Sequence, residues 1–556
     1  MCYEQPNFRL KIQGYIHYLQ RWDVIFKTKG PERCLLGATK ASSRWREVSW
    51  VALILLVIPF RAARLVPASD RASQTAQEHA DRGLQLAQSG DLKGAEAELH
   101  KALALSPNDP DFLTDLGGIL GMQQKLEEAN TYFERALKID PGNSTIRRDL
   151  AANQWQLGRL REAKDNLERI LRTKPGDPPT VLLLGMVAEN LGDFAKAASL
   201  LASVPALVNQ RPESIAALAR SYYHLGDKQK ARDMLGGLRS HPAGPKGVFL
   251  GGQVASEAGD GETAMKLFTS IKSGYPDQGQ LAYNIALAEY RSNDFRQTET
   301  TLLDLIGAGH QTSEAYNLLA WSYYKQAKFD ETVRAFDQAI DRDPSRESNY
   351  LDLGKVLSEH HLYSVAAAVA KKAVERIPDS YRAYMMKGMI ETKQARYNEA
   401  VASYSRAIEL NPTSAEANFN LASGQAMAGM TKEAEATFER GIKRFPNDAP
   451  TYQEYALMLL KLAEAGDGAA ESRATALLKT AISLDPTLVG PHYHLGNLWL
   501  SENRTEEALR ELEAAAKLDP NDAKAHYALS RAFRHLGQND QAAKELRVYE
   551  KLKPQE

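Results

Sequence analysis

Apolar and small residues along this chain fall into helix-spaced blocks that recur every 34 residues over most of its length. From Tyr381 to Pro412, the residues Tyr384, Gly388, Ala400, Tyr404, Ala407 and Pro412 stand at places 4, 8, 20, 24, 27 and 32. From Ser313 to Pro344, Tyr316, Ala320, Tyr323, Phe336, Ala339 and Pro344 stand at places 4, 8, 11, 24, 27 and 32. A turn near place 15, carrying Gly158, Gly192, Gly226 or Gly429 in different periods, separates the two blocks. Each period is expected to be a helical hairpin. Small residues at places 8, 20 and 27 let the two axes approach, and the aromatic at place 24 fills the space between neighbours.

Prolines mark the period. Almost every interval between Pro107, Pro141, Pro175, Pro242, Pro276, Pro344, Pro378, Pro412 and Pro446 is 34 or twice 34, and after one step of 40 the series resumes at Pro486, Pro520 and Pro554. Proline ends the second helix, because it lacks an N–H and pushes the preceding residue out of α geometry. Stop signals such as Asp140-Pro141-Gly142-Asn143 and Asp519-Pro520-Asn521-Asp522 then supply Asn or Asp caps for the next helix. About fourteen units cover residues 74–556. Two lack the closing proline, near Asn209 and His310, and are expected to keep the rest of the pattern. In the unit ending at Pro486 the turn is lengthened at 464–469, where an insertion is expected to bulge without disturbing the stack.

Spacing, small residues, aromatics and closing proline together resemble the tetratricopeptide repeat family, over about 480 of the 556 residues. The resemblance implies an all-α, right-handed superhelical solenoid in which each unit buries its apolar face against its neighbours. It also implies that first helices line a concave groove through places 2, 5, 9 and 12. Those places put Arg220, Tyr223, Phe249, Tyr283, Leu287, Tyr290, Asn317, Trp321 and Tyr324 in the central groove, with Met385, Met389 and Phe419 further on. Aromatic side chains give large contact area at low entropic cost, which makes this stripe the candidate partner-binding groove. The alternative is that several of these rings fill space between adjacent first helices. Of the carboxylate-clamp pattern of some family members, Asn497, Lys524 and Arg531 are present. Tyr493 stands where the first lysine is required, so binding of a chaperone's acidic tail is not expected.

The charge balance narrows the partners. Formal net charge is −1, yet residues 1–73 carry 12 basic and 5 acidic residues, leaving 57 and 65, or −8, for the repeats. A mildly acidic array without a basic, aromatic-interleaved stripe is a poor nucleic-acid binder, so none is expected as a partner. The two cysteines, Cys2 and Cys34, precede the repeats, which excludes a disulfide framework in the body and argues against a zinc site.

Residues 1–47 are an extension that is either poorly ordered or an over-extended gene start. Residues 48–68 hold an uncharged apolar run from Val48 to Phe60, 13 residues long. That is short of the roughly 20 needed to span a bilayer but fits a signal-peptide core. Lys40, Arg44 and Arg46 precede it, and Val66-Pro67-Ala68 offers a cleavage site before Ser69. Arg61, Arg64 and the long preceding stretch depart from an ordinary signal. The expectation is export or an N-terminal membrane anchor, with a cytosolic protein carrying a buried or interfacial segment as the alternative. An anchor would face its N-terminus inward, with five Lys or Arg in residues 28–47 against three in 61–80.

No phosphate-cradling glycine loop, His-Glu-x-x-His pair or Gly-x-Ser-x-Gly elbow occurs in the sequence. His360-His361 and His492-x-His494 are spaced so that each pair points to different helix faces, which disfavours a metal site. Some tetratricopeptide arrays precede a catalytic domain; with the last repeat closing at Pro554, none is expected here. The expected function is a non-enzymatic interaction scaffold without cofactor or metal. It would bind a protein or peptide in the groove, in envelope assembly, secretion or polysaccharide export. Two rivals are a targeting subunit for a separate enzyme, such as a glycosyltransferase, and a glycan-binding module.

Overall fold

A computed structural model describes residues 71–464 and 467–553, so the N-terminal extension and the apolar segment at 48–68 lie outside the described residues. Among the described residues there are 29 α-helices and no strand, and the helices pair into fourteen hairpins. The residues form two compact units, 71–335 and 336–553. Within each unit a first helix packs on its own second helix, and that second helix on the next first helix.

The regular repeat has a first helix of 13 residues and a second of 14, as in Tyr381–Lys393 and Tyr397–Leu410. Side-chain oxygens of Asp109, Asn143, Asp177, Ser380, Ser414 and Asp522 cap first helices by accepting backbone N–H bonds. The turn at place 15 demands a left-handed residue. Gly158 takes φ 76°, and the following Arg159 N–H donates back to the Gln154 carbonyl at 2.8 Å, tying off the first helix. The same turn is made by non-glycine residues at Gln124, Asn293, Ala327, His361, Ala395 and Asn503, all near φ 60°.

Place 24 packs onto place 8. A β-carbon added at Gly117, Gly252 or Gly388 would come within 2.9, 2.4 and 2.6 Å of the rings of Phe133, Phe268 and Tyr404. These rings are buried, as are the alanines at places 20 and 27 such as Ala400 and Ala407. The small residues are therefore what the rings require.

Two stretches depart from the regular repeat. The unit with Asn209 does not keep the pattern. Its second helix, Phe194–Ala202, stops after 9 residues, and a separate short helix, Pro205–Val208, follows. Pro205 has no N–H to continue the ladder and holds Val204 out of helical geometry. The following second helices, Lys228–Gly236 and Gly261–Ser270, are also short, at 9 and 10 residues. In the other unit, both helices of the hairpin are extended. The first helix runs from Ala449 to Glu464 and the second from Gly468 to Leu484, 16 and 17 residues, so the hairpin is longer rather than looped out. Alanine and leucine, frequent in both helices, are strong helix formers.

Candidate functional site

First helices of residues 144–335 are joined to one another by side chains projecting from places 5, 9 and 12 or just beyond. Arg148 Nη1 reaches Asp177 Oδ2 at 3.0 Å, and Trp155 Nε1 donates to Asn190 Oδ1 at 3.2 Å. Glu189, almost buried, accepts from Arg220 Nη1 at 2.7 Å, and Arg220 Nε lies 3.6 Å from Glu257 Oε2. One guanidinium thus links three consecutive repeats. Burial opposes the charge of Arg220, but the carboxylates of Glu189 and Glu257 outweigh it and raise its pKa.

Tyr223 Oη donates to Asp260 Oδ2 at 2.8 Å, and Arg232 grips the same carboxylate through Nε at 2.7 Å and Nη2 at 3.2 Å. Asp260 also caps the next helix through the Thr263 N–H. Burial would raise its pKa, yet the bonds from Arg232, Tyr223 and Thr263 hold it below the usual carboxylate range. Burial and the Asp260 charge push the Tyr223 phenol strongly upward, so it remains a donor. Gln253 donates to Asn284 at 3.3 Å and Arg291 to Ser256 at 3.1 Å, continuing the ladder.

The expected groove residues divide into two groups. Phe249, Tyr290, Asn317, Trp321 and Met385 are buried, at 5, 5, 7, 2 and 5% exposure, so they offer little surface to a partner. Phe249 is held by Tyr275, stacked at 4.5 Å between centroids, and by Phe268 at 5.6 Å; Trp321 meets Tyr324 edge to face at 5.6 Å. The ring contacts of this group are to residues of the same repeat, Tyr290 meeting Phe295 edge to face at 5.3 Å. Arg220, Tyr223, Tyr283, Leu287, Tyr324, Met389 and Phe419 remain half-buried, with accessible surface. Near the C-terminus, Tyr493 is half-buried, while Lys524, Tyr527 and Arg531 are exposed.

The inter-repeat ladder was not anticipated from the sequence. Its signal is a carboxylate at place 12 followed 31 residues later by a cation at place 9, as in Glu189 and Arg220. Among the described residues no group of three or more His, Cys, Asp or Glu is placed to hold a metal ion, and no helix is long and apolar enough to cross a membrane.

Sequence comparison bears on what this arrangement is. Models described as tetratricopeptide repeat match residues 81–144, 283–347 and 493–556, residues 120–185 and residues 217–242, and a TPR repeat model matches 388–427, together more than half of the chain. The chain belongs to the tetratricopeptide repeat family. This TPR protein is similar in structure to yeast Tom70, at 16% identity and a TM-score of 0.38 over 87% of this chain and 93% of that one. It is also similar to a chain of the APC/C hetero-tetramer Cut9-Hcn1, at 13% identity and 0.34 over 83% and 97%. No curated protein matches the TPR chain.

Proposed function

We propose that this protein is a non-enzymatic scaffold that binds a segment of a protein partner along the first-helix face of residues 212–335. The observation that carries the reading is the half-exposed state of Tyr223, Tyr283, Leu287 and Tyr324 on first helices of this stretch. Much of the polar chemistry of the same face is engaged from repeat to repeat, as in Arg220 with Glu189 and Glu257. What the face offers a partner is therefore mainly apolar and aromatic area on a rigid support, the kind of surface that holds an extended or helical segment.

The apolar run from Val48 to Phe60 supports export or membrane anchoring, with the repeats on the far side of the membrane and a role in envelope assembly, secretion or polysaccharide export. The decisive experiment for the groove is a crosslinked pull-down with residues 69–556, run beside a variant with Tyr283, Leu287 and Tyr324 changed to alanine. Both proteins must be equally helical by circular dichroism. A defined partner captured by the first and lost by the second supports the face as the site; identical capture by both sends the search to another surface.

A further inference from the structure

We propose a second binding site, away from the first-helix face, in which a cleft in the repeat at 415–446 takes an acidic peptide through one large apolar side chain flanked by carboxylates. The cleft exists because one position breaks a rule. In residues 336–553, place 4 of the first helix is a ring in every other repeat: Tyr350, Tyr384, Tyr452, His492 and His526. Four of these rings bond the carbonyl of the proline six residues before. Tyr350 Oη reaches Pro344 at 3.0 Å, Tyr452 Oη reaches Pro446 at 3.2 Å, and His492 and His526 Nε2 reach Pro486 and Pro520 at 3.1 Å each. Tyr384 packs instead in the cluster around Tyr404.

In the remaining repeat the place is held by Asn418, whose Nδ2 donates to its own helix at the Ser414 carbonyl, 2.9 Å away. Beside it lies a cleft of about 520 Å³, lined by Ile408 and Leu421 and rimmed by Arg440, Lys443 and Arg444. The three cations stand at i, i+3 and i+4 of helix Thr431–Arg444, so they share a face, and all are exposed. Arg440 donates to Thr437 Oγ1 at 3.0 Å and Arg444 lies over the Phe445 ring at 5.8 Å, but none of the three pairs with a carboxylate among the described residues. Two other arginines of the same unit are neutralised, Arg406 by Glu409 and Arg473 by Glu435 and Glu439.

Three neighbouring positive charges around an apolar floor are complementary to a ligand that carries both features. A bare anion would leave the half-buried Ile408 uncovered above the already buried Leu421, and a neutral side chain would leave the rim unpaired. A peptide with a phenylalanine between glutamates satisfies both, and the cleft volume suits one such side chain with its adjoining backbone.

The test uses the full chain and a fluorescein-labelled peptide of three glutamates, phenylalanine and three glutamates, read by fluorescence anisotropy. Asn418→Tyr supplies the ring that the other repeats of residues 336–553 carry and fills the cleft; Lys443→Glu reverses the rim on an exposed position. The proposal expects saturable binding that is at least tenfold weaker with each variant, and at least tenfold weaker when serine replaces the peptide's phenylalanine. Equal binding by Asn418→Tyr, equal binding of the serine peptide, or no saturable binding by the unaltered protein would each overturn it. So would binding of anionic phospholipid vesicles that Lys443→Glu abolishes while the peptide does not compete. Should Asn418→Tyr lose helicity, Lys443→Glu with the serine peptide still decides the matter. The first-helix face is untouched by these changes, so failure here leaves the groove reading standing.

Discussion

The ring of Tyr404 rests so closely on Gly388 that a β-carbon there would lie 2.6 Å from Cε1. Both residues are buried, and Tyr404 Oη is held by Thr392 Oγ1 at 3.2 Å, so the ring has little freedom to withdraw. Gly388→Ala is expected to destabilise the protein by about 1–3 kcal/mol through overpacking, although alanine is the better helix former. Urea unfolding followed by circular dichroism measures the loss. A neutral or stabilising result would mean that the ring can step aside.

Glu289 and Glu391 occupy the same place in their repeats, and each is buried. Glu391 has Lys387 at 2.7 Å and the Ser403 hydroxyl at 2.6 Å. Glu289 has Ile285 where Lys387 would stand, and its Oε2 is without a hydrogen-bond partner. Burial, offset in part by Thr301 and reinforced by the charge of Asp294, pushes the Glu289 carboxyl up to about 7 from the usual 4.5. The unfolded chain then loses its proton first. Stability from this group is complete below about 4.5, falls as pH rises toward about 7, and is level above. Glu289→Gln is expected to remove that slope and to be more stable than the unaltered protein at pH 8 by about 1–3 kcal/mol. Melting temperatures across pH 4.5–8 test it; a Gln variant with the original slope would rule Glu289 out as its source.

His492 titrates in the opposite sense chemically but with the same sign in pH. Its Nδ1 lies 2.6 Å from Glu511 Oε2, and that bond, reinforced by the Pro486 carbonyl and opposed by burial, raises its pKa above 6.5. The folded state holds the proton more tightly, so the contribution is present below about 6.5 and is lost as pH rises through the raised value. His492→Tyr, the residue used at Tyr350, should keep a donor to the proline carbonyl while abolishing this dependence. Proton NMR of the imidazole gives the pKa directly, and a value at or below 6.5 would refute the pairing.

Ala395 holds a left-handed backbone at φ 56° where seven other hairpin turns use glycine. An L-residue there costs about 1 kcal/mol, so Ala395→Gly is expected to raise stability by about 0.5–1 kcal/mol despite the greater freedom of glycine in the unfolded chain. Chemical denaturation would show the gain as a higher midpoint with unchanged slope.

The helical hairpins were legible because period, small residues and closing proline report the same packing three times over. Gly388, Ala400 and Tyr404 predict one another. The site was legible only as a stripe. Spacing places Trp321 and Tyr324 toward one face, but whether a ring ends in the groove or between helices depends on the separation of neighbouring repeats. The ladder through Glu189 and Arg220 was missed because its partners lie in different repeats, while helix-pattern reasoning compares residues within one.

The bond from a place-4 ring to the preceding proline carbonyl has a consequence for how such a gene can grow or shrink. Each weld is made of one part from an older unit and one from its successor, as with Pro486 and His492. A duplication of 34 codons, wherever its ends fall, copies one complete weld, whereas an insertion between the proline and its ring separates the two halves. Lengthening by whole units is thus structurally silent, and the six additional residues of the repeat at 449–484 were accommodated far from any weld, at the opposite end of the hairpin.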